Sequence, residues 1–228
     1  VCFFWIYNCV TGRFKRDPCI SHIADWIAYR GQQLYPDRVQ AEIFLERLDS
    51  QADFFSFRTF SDTQYTLALS HDPLERAIYG SLTACWNELV QLNRQGAVIC
   101  VTINHTIGEG RESSDIDQVR ALFIDDDRGG DPGRFPLQPH IRVETSPSHY
   151  HYYWLVQGLP LQRFTTYQQQ LASCYQGDTR IQALNQAMQI PGFWRRKRVV
   201  EPRFPKILRI SRHPPFQDSE LRELLIFS

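Results

Sequence analysis

Asp125, Asp126 and Asp127 close the apolar run ALFI, and three like charges in succession repel one another wherever burial lowers the dielectric. Something positive is therefore expected among them. Side chains alternate along a strand, so Asp125 and Asp127 share a face about 7 Å apart while Asp126 points away. Two hard-oxygen groups so placed at a strand's end can hold divalent cations. The bland alternative for an Asp-x-Asp is a solvated turn. A calcium loop of the EF-hand type is excluded, because Gly129 and Pro136 stand where ligands belong.

A second polar constellation lies in SPSHYHYYWLV. As a strand it carries His149, His151 and Tyr153 on one face and Tyr150, Tyr152 and Trp154 on the other. Two histidines at this spacing suit a metal or a phosphate, or simply a polar strand surface, and the Tyr and Trp rings suit the core. Asp178 follows Gly177 and is expected to cap a helix marked by Ile181, Leu184 and Met188. From Arg195 to Arg209 seven bases face one acid, a basic patch on a chain whose formal net charge is zero.

These groups need a scaffold, and the periodicities supply one. Val39, Ile43, Phe44 and Leu48 mark a helix after Pro36-Asp37; Leu82, Trp86, Leu89 and Val90 mark another, stopped near Gly96. The runs 54–60 and 97–104 read as strands, as do 119–125, IRVETS, YHYYWLV and KILRI, with a hairpin turn at Pro147-Ser148. Phe164, Leu171, Ala172 and Tyr175 mark a further helix. The expected fold class is α/β: a central, mostly antiparallel sheet like an RNA-recognition fold beside an N-terminal helix-and-strand unit. Residues 1–36 are read as an extension and 37–228 as one unit of two packed α/β subdomains. Six cysteines without C-x-x-C spacing read as separate thiols of a reducing cytosol. VCFFWIY is too short to span a bilayer, so no membrane segment is expected. Met188 is the one methionine, so the natural start is expected to lie elsewhere.

Taken in order, FLERLDSQADFFSFRTFSD, LNRQGAVICVTINHTIGEGR, VRALFIDDD, VETSPSHYHYYWLV, GD and MQIPGFWRRK resemble the RepB-like replication primases, a branch of the archaeo-eukaryotic primase superfamily. The resemblance runs from about residue 41 to residue 209. It implies that Asp125, Asp127 and Asp178 hold Mg²⁺ or Mn²⁺, and that His151, with His149 two residues before it, contacts the triphosphate. It also assigns Arg195, Arg196 and Lys197 to nucleotide binding, single-stranded DNA as template, and NTPs or dNTPs as substrates in replication of a plasmid or mobile element. A helical bundle or helicase often follows such a domain, which would make this a module of a longer cytoplasmic protein. The chain departs from the family at Gln189 and Asn185, where arginines are usual.

Two rival readings belong to other classes. HYH is also similar to the His-hydrophobe-His element of rolling-circle initiator nucleases, which would need Tyr167 or Tyr175 as nucleophile. A DNA-binding domain that keeps the architecture without catalysis is the other.

Overall fold

The computed structural model describes residues 5–8, 13–16, 34–62, 71–129, 132–196 and 202–225. A short hairpin of β1 (Trp5–Asn8) and β2 (Arg13–Arg16) precedes α1 (Arg38–Leu48). Then come β3 (Phe55–Ser61), β4 (Arg76–Gly80), α2 (Leu82–Gln95), β5 (Ala97–Thr102) and the small pair β6 (His105–Thr106) and β7 (Ile116–Gln118). The second half holds β8 (Ala121–Asp126), β9 (Ile141–Ser146), β10 (His149–Leu155), α3 (Leu161–Tyr175), β11 (Ala187–Gln189), β12 (Lys206–Ile210) and α4 (Asp218–Leu225).

The strands make two four-stranded antiparallel sheets, ordered β11-β5-β3-β4 and β12-β9-β10-β8. One apolar cluster runs through both, joining Phe57 and Ile99 of the first sheet, Phe123 and Tyr153 of the second, Phe44 of α1, Leu89 of α2, Phe164 of α3 and Leu221 of α4. The mixed α/β architecture with antiparallel sheets is the one expected from the sequence.

Local chemistry explains where the helices start and stop. Asp37 caps α1 by accepting from Val39 N at 2.9 Å, and Ser81 caps α2 by accepting from Ala84 N at 3.2 Å. Gly96 ends α2 in the left-handed region at φ 105°, a conformation that a side chain would strain. Two expectations fail. In α1 the buried stripe is Ala41, Phe44, Leu45 and Leu48, and Val39 and Ile43 stand 57% and 43% exposed. The helix expected over 181–188 does not form. Ile181 N donates back to Asp178 O in a turn, Ile103 N pairs with Gln186 O, and 187–189 add β11 to the edge of β5. An open backbone edge on a central strand satisfies that segment's amides better than an isolated two-turn helix would.

The strand that bears the carboxylates is itself the last of its sheet. Its outward amides are met from α3 and the segment after it. Gln168, 1% exposed, accepts from Phe123 N at 3.2 Å and donates to Phe123 O, and Asp178 N donates to Asp125 O at 3.1 Å. Gly177 makes the second contact feasible, because a Cβ there would come within 2.8 Å of Ile124 Cγ2.

Candidate active site

The register of β8 against β10 places His151 directly opposite Asp125 and Tyr150 opposite Asp126. Alternation does the rest. His151 Nε2 lies 3.5 Å from Asp125 Oδ1, and His149 Nε2 lies 3.8 Å from Asp127 Oδ1, so two histidine–carboxylate pairs stand side by side at the turn end of the β9-β10 hairpin. Ser148, at φ 64°, turns the chain between the strands. Asp126 faces the opposite side, 1% exposed, where Arg134 Nη2 donates to it at 2.8 Å and Arg128 N at 3.0 Å. The three consecutive carboxylates thus divide into an outward pair and a buried, neutralised middle member.

The hydroxyl of Tyr153 sits 3.2 Å from His151 Nδ1. Burial raises the Tyr153 pKa well above its ordinary value, with the charges of Asp125 and Cys100 adding to the effect, so the phenol keeps its proton. The consistent assignment is that Tyr153 donates to Nδ1, which leaves the proton of His151 on Nε2, facing Asp125. For Asp125 burial pushes the carboxyl up, but the hydrogen bond from His151 and, beyond it, the positive charge of Arg195 pull it down. The carboxyl ends below its usual value.

Asp178 arrives beside Asp125 by backbone pairing. It is not a helix cap: its Oδ1 accepts from Arg180 N at 2.9 Å, and the Arg180 guanidinium grips both carboxylate oxygens at 2.7–3.1 Å. That hydrogen bond holds the Asp178 carboxyl below its ordinary value. The field of Arg180 also reaches Asp127 and Asp125, so this guanidinium is the cation that the acidic cluster calls for.

Arg195 lies within the field of Asp125, its backbone paired with Arg203 at 2.8 Å and its Nε 3.3 Å from Asp62 Oδ1. Arg196 donates to the carbonyl of Arg94 at the end of α2, and Lys197 falls outside the described residues. Asn185 donates to the carbonyl of Arg111, 2.6 Å away, and Gln189 is buried on β11. Tyr153 was legible as a neighbour of His151 by its i+2 spacing, and Arg180 by lying two residues after Asp178. The pairing of Asp62 with Arg195, 133 residues apart, carries no local signal.

No three His, Cys, Asp or Glu side chains among the described residues already converge on a metal position. The donor chemistry nonetheless fits a hard divalent ion. Asp125 and Asp127 offer carboxylates on one face, 24% and 69% exposed, and Asp178 stands alongside, clamped by a guanidinium that an arriving cation can displace. Tyr167 and Tyr175 are engaged elsewhere. Their hydroxyls donate to Asp218 Oδ1 at 2.7 Å and to Leu224 O at 2.8 Å, towards α4.

Residues 103–214 match the family model of the RepB DNA-primase N-terminal domain. A comparison with curated proteins gives no match. Among solved structures the fold is similar to the AEP domain of the cyanophage S-2L primase-polymerase, at TM-score 0.66 and 17% identity over 84% of this chain and 100% of that one. It is also similar to primase RepB', at 0.56 and 15% over 81% of this chain and 60% of that one, so the chain spans about three-fifths of that protein's length. The catalytic domain of RepB' in complex with initiator DNA gives 0.50 and 16%, over 75% and 85%. At such identities the likeness is one of fold.

Proposed function

Since the chain belongs to the RepB-like primases, we propose that it is a DNA-dependent nucleotidyltransferase, a primase or primase-polymerase that makes or extends primers on single-stranded DNA for a plasmid or mobile element. The observation that carries this reading is the approach of His151 Nε2 to Asp125 Oδ1 with Asp127 on the same face, a carboxylate pair and an N–H donor presented together at one strand end.

Asp125 and Asp127, with Asp178 once Arg180 lets go, would hold Mg²⁺ or Mn²⁺. Such ions, when bound, lower the pKa of the attacking hydroxyl and offset charge on the leaving group. The residues of the chain do the remaining work. The Nε2–H of His151, fixed by Tyr153, donates to a phosphate oxygen of the incoming nucleotide, and the guanidinium of Arg195 stabilises negative charge as the bond to pyrophosphate breaks. The primer hydroxyl forms the new bond at the α-phosphorus and its proton passes to solvent. Template binding by phosphate pairing accords with the RepB' catalytic domain having been solved with initiator DNA.

A template-directed assay with NTPs and with dNTPs, with and without a primer, in Mg²⁺ and in Mn²⁺, tests the proposal. The wild-type protein should incorporate nucleotide, and Asp125→Ala or Asp127→Ala should abolish incorporation with the fold intact. Full activity in both variants overturns it.

A further inference from the structure

The β11-β5-β3-β4 sheet has a polar face beside the histidine–carboxylate pairs, and its central row consists of directly opposed residues. Cys100 of β5 lies between Arg58 of β3 and Gln189 of β11, so their three side chains stand abreast. Thr102, two residues along β5, shares that face. The face looks towards the acidic strand: the Cys100 thiol lies in the fields of Arg195, Arg58 and Asp62, and the Tyr153 hydroxyl in those of Asp125 and Cys100.

Two polar atoms on this face are buried with no hydrogen-bond partner. They are Gln189 Nε2 and Thr102 Oγ1, in residues 6% and 1% exposed. Folding does not normally leave such groups unpaired, because their lost hydration is uncompensated. The guanidinium of Arg58 lies 5.4 Å from the centroid of the Phe60 ring and has no carboxylate partner among the described residues. An amide N–H, a hydroxyl and a guanidinium all donate. A wall of donors with one net positive charge selects an anion with several acceptor oxygens.

We propose that Arg58, Gln189 and Thr102 form an anion cradle on the β3-β5-β11 face that takes a phosphate group, supplied either by the incoming nucleoside triphosphate or by the template strand. The identity of these two sources rests on the polymerising role proposed above. The cradle itself rests only on the unpaired donors and their placement.

Three single substitutions in the whole chain test it, with inorganic tripolyphosphate as the first probe. Gln189→Met and Thr102→Val remove the unpaired atoms at nearly constant volume. Each should raise the melting temperature of the empty protein and reduce the further rise produced by tripolyphosphate. Arg58→Ala should weaken tripolyphosphate binding roughly tenfold. A nucleotide-phosphate role then raises the dNTP Kd in Mn²⁺ and leaves binding of a single-stranded oligonucleotide unchanged. A template role does the reverse and cuts the salt dependence of oligonucleotide binding by about one phosphate contact. Tripolyphosphate binding unaltered in all three variants, or a melting temperature lowered by Gln189→Met and by Thr102→Val, overturns the cradle even if incorporation is robust. Conversely, a wild-type protein that incorporates nothing while binding tripolyphosphate through Arg58 keeps the cradle and removes the polymerising role.

Discussion

Asp126 shows how little a residue type says without its side of the strand. It carries the same group as its two neighbours, yet Arg134 and the Arg128 amide consume it in the interior. Asp126→Ala should therefore lower stability by about 1–3 kcal/mol, read from denaturant midpoints, while the remaining folded protein still binds nucleotide. Arg180→Ala should act in the opposite sense. With the clamp on Asp178 gone, the Mn²⁺ concentration for half-maximal incorporation is expected to fall severalfold, and an unchanged or higher requirement would show that Arg180 does not compete with the ion. The shared face of Asp125, Asp127, His149 and His151 was legible in the sequence, because a strand's period of two is rigid. The roles of Arg58 and Asp62 were not, since what defines them is who sits on the next strand.

Elements were legible where one periodicity dominated and illegible where an edge was on offer. The spacing of Ile181, Leu184 and Met188 is helical, but Met188 lies opposite Val101 on β5 and its neighbours follow it into the sheet. Val39 and Ile43 fit the expected stripe of α1 as well as Leu45 does, and only the placement of the second sheet decides which of them is buried. Another element escaped notice altogether, the strap over residues 211–216. His140 holds it: Leu155 N donates to Nδ1 at 3.0 Å, and Nε2 donates to Pro214 O at 3.0 Å. Arg47 donates to the carbonyls of Ser211 and His213 at 2.8 and 2.7 Å, and the His213 ring lies 5.8 Å from that of His140, with Glu220 also contributing its charge. Burial lowers the pKa of His140 from 6.5 to about 4. The native state thus keeps a neutral ring that the unfolded chain would protonate. Its stabilisation is complete above about pH 6.5 and is lost progressively as the pH falls towards 4. Denaturant midpoints across that window should decline in the wild-type protein and decline less in His140→Leu.

At the scale of the whole molecule, part of the basic run is answered by acids elsewhere in the chain. The run of bases from Arg195 to Arg209 looks unopposed in sequence, yet Lys206 reaches Glu144 at 3.0 Å and Arg195 reaches Asp62, acids far off along the chain. Fold class was legible because strands and helices alternate plainly. The strand order within each sheet was not, because it depends on long-range pairings such as β11 with β5. A last consequence concerns company. Bare sheet margins zip onto other molecules, and the strand bearing the aspartates would have such a margin if the Gln168 amide did not cover it. Gln168→Leu should accordingly self-associate more steeply with rising concentration than the wild-type protein, visible by light scattering. The glutamine acts as insulation along that edge, keeping one copy of the chain from adding its strands to the next.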